Sequence, residues 1–304
     1  MTNMIQASYL EASARQRIAQ VFDAGSFVEF LPPSMRVTSP HLGQLDAPVA
    51  FDDGVAVGRA TLDGVPVLVA AQEGGFMGGA VGEVHGAKLV GLLRRAANEK
   101  ARAVILLLES GGVRLHEANA GLIAVSEVMR AVLDARDAGV PVITLAGGGN
   151  GVFGGMGIVA RCSNLIVMSE EARLAMSGPE VIETAAGVEE FDARDRALVW
   201  RTTGGKHRYL LSDCQVLVAD SVDAFRAAAI DALAQQAAGS SALTLEALEA
   251  EQAMLASRIE RFGAASDPLD IWRALGVDQP ETLPLLDAED FVATVAAVRV
   301  GAAS

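Results

Sequence analysis

What the chain has little of narrows its class first. Its 304 residues include only two cysteines, Cys162 and Cys214. They lack C-x-x-C spacing, so neither a zinc site nor a disulfide framework is indicated, and both read as reduced, buried thiols. Aromatic residues make up 5% of the chain. Basic residues are scarce as well: 24 Lys and Arg against 38 Asp and Glu leave a formal charge of −14. A nucleic-acid surface needs dense Lys and Arg, so no nucleic-acid partner is expected. The apolar runs are strand-sized, well short of the ~20 residues of a membrane helix, so no membrane association is expected. Residues 1–20 carry Glu11, Arg15 and Arg17 without an apolar core of signal-peptide type. The expected setting is cytoplasmic.

What remains is a chain that is 51% hydrophobic, with 31 glycines gathered in turns rather than spaced at a fixed period. Residues 8–22 predict an amphipathic helix with Leu10, Ala14, Ile18 and Val21 on one stripe. Residues 31–48 hold four of the ten prolines and read as a surface loop. Two strands, 54–60 and 65–71, meet around Asp63-Gly64, a hairpin signal. A glycine break at 73–80 then releases a helix with Leu89, Leu92, Leu93 and Ala96 on one face. From residue 103 the predicted order is strand 103–109, helix 115–138, strand 140–146, short helix 153–161 and strand 164–168. Near-continuous apolar strands separated by helices predict an α/β fold with a parallel sheet covered by helices. Beyond residue 221 the chain turns Ala-rich and helical, including 244–261. The expected organisation is an N-terminal helix and loop (1–50), a core (51–220) and a helical extension of the same domain (221–304).

Two glycine turns leave consecutive strands of that core. Gly111 and Gly112 follow the first, and Gly147 to Gly157 contains seven glycines after the second. Glycine lets backbone approach a ligand closely and tolerates φ > 0, so both turns can present bare N–H groups. The carboxyl ends of neighbouring parallel strands open on one crevice. Two N–H groups converging there on one carbonyl oxygen would form an oxyanion hole. The plain alternative is that the glycines only allow tight turns and close helix packing. Gly149-x-Gly151-x-x-Gly154 also matches a dinucleotide fingerprint. The helix after it has room for about two turns, extra glycines interrupt it, and it sits mid-chain behind a second glycine turn, all of which weigh against that reading. No Gly-Lys-Ser/Thr follows, which excludes a nucleotide P-loop at motif level.

Longer strings carry a family resemblance. Gly151-Val-Phe-Gly-Gly-Met-Gly157, continuing to Met168 and followed by Ala175-Met-Ser-Gly-Pro-Glu180, resembles the crotonase superfamily signature. Phe22-Asp-Ala-Gly-Ser-Phe-Val-Glu29, Phe76 to Lys88 and Glu109-Ser-Gly-Gly-Val-Arg-Leu-His-Glu117 resemble its carboxyltransferase branch. The likeness runs from about residue 15 to about residue 215. Within the branch the chain is most similar to the beta subunits of malonate decarboxylase, the biotin-independent kind. The resemblance implies a crotonase-like fold and decarboxylation of a malonyl thioester held on an acyl-carrier protein with a coenzyme-A-like prosthetic group. It also implies a homologous gamma subunit and an acyl-carrier transferase subunit as partners, with no cofactor bound directly and no biotin. The chain departs from bacterial acetyl-CoA carboxylase beta subunits, whose N-terminal zinc ribbon has four cysteines; here none precedes Cys162.

Loss of CO₂ from a malonyl thioester leaves an enolate on the thioester oxygen, and each positioned N–H donor there is worth about 3–4 kcal/mol. By the family pattern the donors are Gly111, Gly112, Gly154 and Gly155. Arg114 is a candidate for a carboxylate or phosphate, with an ion pair to Glu109 or Glu117 as the alternative. His41, His85, His116 and His207 are the candidates for the proton that the enolate must take, though each reads first as structural or surface; His116, five residues past Gly111, is the best of them and, with Arg114, the candidate substrate or carrier contact. No metal site is expected. Two rival functions stay open: the beta half of a biotin-dependent carboxyltransferase, which the same oxyanion holes would serve, and a non-catalytic scaffold.

Overall fold

The computed structural model describes residues 7–238 and 243–301. The first six residues of the N-terminal stretch, with 239–242 and 302–304, lie outside the described residues. In chain order the helices are α1 (Ala14–Val21), α2 (Pro40–Gln44), α3 (Glu83–Glu99), α4 (Asn119–Asp137), α5 (Gly155–Arg161) and α6 (Pro179–Ala186). They continue with α7 (Arg196–Thr203), α8 (Gly205–Leu210), α9 (Val222–Ala238), α10 (Leu245–Phe262), α11 (Pro268–Ala274) and α12 (Ala288–Val295). The strands are β1 (Val28–Glu29), β2 (Val55–Leu62), β3 (Val65–Gln72), β4 (Val104–Leu108), β5 (Val142–Ala146), β6 (Leu165–Ser169) and β7 (Val216–Val218).

All seven strands form one sheet whose spatial order equals their chain order. The first three pair antiparallel, and β3 to β7 run parallel. Asp63 and Gly64 close the β2–β3 hairpin with positive φ at both positions, +50° and +75°, matching the right-handed twist of the strands. Alternation along each strand then divides the apolar residues between two cores. Val104, Leu106 and Leu108 of β4 face the core shared with α3, α4 and α5. Ile105 and Leu107 face the opposite core, which α1 and α9 cover through Ile18, Val21, Phe225 and Ala229. The parallel sheet covered on both faces is the architecture expected from the sequence.

Several boundaries move for local reasons. The helix expected over 8–22 starts at Ala14, because Ser13 caps it in a capping box with Gln16. Leu10 therefore sits outside the helical stripe; its N–H and the Ser8 hydroxyl bond the Asp220 carboxylate at 2.9 and 2.5 Å. The helix expected from residue 115 starts at Asn119, because Ala118 has φ +46° and only a 3₁₀ turn precedes it. Residues 1–50 contribute β1 to the sheet as well as a helix and loop. Within 221–301, Trp272, Leu283, Phe291 and Val295 join the core under α3 and α4. None of the described helices is long and apolar enough to cross a membrane.

Candidate active site

The glycine turns at the ends of β4 and β5 are zipped into a small second layer above the sheet. Ser110 N–H donates to Gly151 O and Phe153 N–H to Ser110 O, both at 2.8 Å. On one side Val81 N–H donates to Gly112 O at 2.9 Å, and on the other Val152 N–H donates to Arg173 O at 2.8 Å. The turns meet at glycines: a Cβ on Gly154 would stand 3.1 Å from the Gly112 Cα. Gly112 has φ +127° and Gly154 φ +59°, so a side chain at either would be strained, and at Gly154 crowded as well.

The four expected donors differ in what their N–H groups do. Gly111 donates to Gly78 O at 2.8 Å and Gly154 to Met176 O at 2.9 Å, so both hold the layer together. Gly112 donates to the Ser110 hydroxyl at 3.1 Å. Gly155 opens α5 after Gly154, with no side-chain cap, and among the described residues its N–H has no acceptor. The structure thus brings the turns together but leaves one of the four N–H groups free and one on an exchangeable hydroxyl.

A buried carboxylate organises the underside of this layer. Glu109, at the end of β4, takes Arg17 Nη1 at 2.5 Å and the Asn150 N–H and Nδ2 at 3.0 and 2.9 Å. Arg17 and Glu109 are both nearly inaccessible, and Cβ atoms on Gly74 or Gly148 would strike the Glu109 carboxylate. The pair fixes the second glycine turn against α1. Nothing in the local spacing of residues 17 and 109 signals it.

Arg114, expected as a carboxylate or phosphate contact or as an ion-pair partner of Glu109 or Glu117, faces groups of its own chain. Its side chain is wholly buried, bonded to Asp53 Oδ2 at 2.9 Å and Glu117 Oε1 at 2.7 Å, with Asp53 O and Ala80 O at 3.2 Å. Burial favours the neutral Glu117 carboxyl, but the Glu83 N–H and Arg114 prevail and hold it below its ordinary range. The alternative pairing with Glu117 is therefore present, joined by Asp53, while Glu109 belongs to Arg17. His85 is buried between Gln72 and the Asp53 carbonyl, and His207 accepts from Trp272 Nε1 at 3.0 Å. Burial pushes both imidazoles down to about 3. His116 is exposed on the turn before α4. Among the described residues no three His, Cys, Asp or Glu side chains stand close enough to hold a metal.

Several apolar side chains on the segments that follow the glycine turns are exposed. Leu115 is 87% exposed and Met176 64%, with Leu122, Ile123 and Ile158 also exposed. Ile158 and Met176 line a groove of about 420 Å³ with Gly157, Arg161 and Asp213, among others.

The model of the family described as the carboxyl transferase domain matches residues 11–217. The chain belongs to that family. It is 39% identical to the malonyl-S-ACP:biotin-protein carboxyltransferase of Malonomonas rubra, across 96% of each chain. Its structure superposes on a chain of the Pseudomonas malonate decarboxylase hetero-tetramer in complex with malonate, with a TM-score of 0.81 and 39% identity. That match covers 89% of this chain and 98% of the other. A chain of the transcarboxylase 12S hexamer, with methylmalonyl-coenzyme A and methylmalonic acid bound, matches at a TM-score of 0.63 and 26% identity. Carboxyl transferase family membership and the crotonase-like fold are what the sequence motifs led one to expect.

Proposed function

We propose that this chain is the beta subunit of a malonate decarboxylase complex, converting malonyl-S-acyl-carrier protein to its acetyl form. The carrying observation is the free Gly155 N–H at a two-turn crevice, in a chain that matches 98% of a malonate decarboxylase subunit. In the reaction the bond between the carboxylate carbon and the malonyl methylene breaks. Its electron pair passes into the thioester, and CO₂ departs without a base. Gly155 and Gly112 are assigned as the donors to the resulting enolate oxygen. Gly112 exchanges the Ser110 hydroxyl for that oxygen, a stronger acceptor because it carries charge. Gly111 and Gly154 are assigned to shaping the turns. The enolate carbon then takes a proton, and His116, exposed beside the crevice, is assigned to the carrier-facing rim.

The partners in this reading are a homologous gamma subunit, an acyl-carrier protein subunit with a coenzyme-A-like prosthetic group and an acyl-carrier transferase subunit, all in the cytoplasm. Exposed Leu115, Leu122, Ile123 and Met176 on the segments that follow the glycine turns support a site completed by another subunit. The isolated chain is therefore expected to release little CO₂ from a malonyl thioester, and addition of the gamma subunit to restore it. Full activity in a verified monomer, unchanged by the partner, would refute this. The Malonomonas relative favours a second reading, in which the carboxyl group passes to a biotin protein. Free CO₂ without any biotin protein supports decarboxylase; strict dependence on one supports carboxyltransferase.

A further inference from the structure

The two donors assigned to the enolate oxygen, Gly112 and Gly155, lie on turns that leave different strands. An oxyanion hole works only if both N–H groups stand about 2.7–3.1 Å from one oxygen, so the gap between the turns matters to the chemistry. Two main-chain hydrogen bonds bridge it, from Ser110 N–H to Gly151 O and from Phe153 N–H to Ser110 O, each 2.8 Å long. The next rung uses a side chain instead. One residue back on each segment, Asn150 donates to Glu109 Oε1 from its main-chain N–H at 3.0 Å and from Nδ2 at 2.9 Å. Glu109 thus carries the first turn on its backbone and grips the second with its carboxylate. The grip is fixed from the other sides as well. Glu109 N–H donates to the buried Gln72 Oε1 at 3.1 Å. Arg17 Nη1 donates to Oε2 at 2.5 Å, and Arg17 is itself braced on Tyr9 O and Leu10 O at 2.9 and 3.2 Å.

We propose that Glu109 is a positioning residue of the decarboxylation: its carboxylate holds the second glycine turn at the spacing from the first that lets Gly112 and Gly155 share one enolate oxygen. This rests on the donor assignment above, and it makes Glu109 act through Gly155 rather than on the substrate. The choice of side chain fits the role. Three N–H groups converge on two oxygens, so both oxygens must accept; an amide at 109 would turn its NH₂ toward Arg17 or toward Asn150. Bare Gly74 and Gly148 leave the carboxylate the space that a Cβ on either would take. Stability alone gives little reason for the pair, since apolar residues of similar size often replace a buried ion pair without loss.

The test compares two neutral pairs in the assembled complex, with kcat, KM and Tm read on each. Arg17→Met with Glu109→Gln keeps an acceptor for Asn150, whereas Arg17→Met with Glu109→Met keeps the volume without one. Asn150 is exposed, so water can take its donors in the Met pair, and the two should melt close to one another. The Met pair should turn over about 10–10²-fold more slowly than the Gln pair, the scale of a misplaced reacting group, with KM within about twofold. The comparison is then repeated with Gly155→Pro, in a Val125→Ala background that makes room at position 155. There the two pairs should differ by less than about threefold, because effects that pass through one group do not add. Equal kcat in the two pairs, or a fall that only follows Tm, would overturn the inference. So would a full loss that persists with Gly155→Pro. Asn150→Ala leaves the Arg17–Glu109 pair intact and changes an exposed side chain, so it reads the same grip if either Met variant fails to assemble. It should lower kcat about two- to tenfold, the worth of one hydrogen bond, and an unchanged kcat would count against the role. Gly155→Pro that leaves kcat untouched with Arg17 and Glu109 in place would instead overturn the donor assignment, and the route through Gly155 with it.

Discussion

Replacing Gly155 is the sharpest probe of the oxyanion assignment, provided packing is separated from hydrogen bonding. Gly155 is the first residue of α5, and a Cβ there would strike Val125 of α4. A simple Gly155→Ala change thus disturbs the α4–α5 contact while leaving the N–H in place. Val125→Ala makes room by removing two carbons, at a cost of about 1.6 kcal/mol from ~0.8 kcal/mol per methylene. A methyl at position 155 refills part of that space.

In the Val125→Ala background, Gly155→Ala keeps the donor and Gly155→Pro deletes it. Proline is well tolerated at the first position of a helix. The lost N–H has no acceptor within the described chain, and Gly154 before it has no Cβ to clash with the ring. The two double variants should therefore melt within a few degrees of each other. They should differ in kcat by about 10²–10³, or about 2.7–4 kcal/mol, the effect of one missing oxyanion donor. Both quantities are read on the assembled complex, with CO₂ release from a malonyl thioester as the assay. A Pro variant that assembles, melts like the Ala variant and turns over at a similar rate would refute the role of the Gly155 N–H.

Other consequences are open to measurement. Arg17→Met should destabilise the chain by about 3–5 kcal/mol, because Glu109 is left as an uncompensated buried charge; urea unfolding should show much of that loss recovered on adding Glu109→Gln, and no recovery would mean the pair is not coupled. His85 and His207 have folded values of about 3 against an unfolded value of about 6.5, so the unfolded chain binds more protons between those limits. Their contribution to stability is complete above pH ~6.5 and is lost as pH falls toward 3, at up to about 1.4 kcal/mol per pH unit for each. Unfolding free energies between pH 7.5 and 5 should show this slope, and His207→Gln should flatten it; an unchanged slope would contradict the buried neutral imidazole. His116→Gln should lower kcat less than tenfold, since CO₂ leaves without a base; a thousandfold loss with folding intact would make His116 the proton donor.

How far this was legible in the sequence depended on the range of the interactions. The parallel strands, the hairpin at Asp63-Gly64, the two glycine turns and the span of α10 all follow from periodicity and turn chemistry within short windows. The destinations of individual N–H groups do not. Gly111 and Gly154 look like Gly155 in sequence, and they differ only because Gly78 O and Met176 O lie opposite them. Arg114 reads as a substrate contact or the partner of a nearby Glu, and nothing near it in sequence signals Asp53, 61 residues earlier in the chain. The Arg17–Glu109 pair spans 92 residues and leaves no local signal.

The match between spatial and chain order in the sheet also has a consequence for synthesis. Each new parallel strand can dock on the edge left by the one before, so the sheet can grow in step with the emerging chain. Helix α1 is the exception. Its apolar side waits for α9, and the clasps around it join Ser8 to Asp220 and Asp23 to Arg226, separations of 212 and 203 residues. At 5–20 residues per second that wait is about 10–40 s. Throughout it Ile18 and Val21 lack the Phe225 side of their core, which makes the first helix to leave the ribosome among the last to be fastened, and the nascent N-terminal segment the natural client for a chaperone.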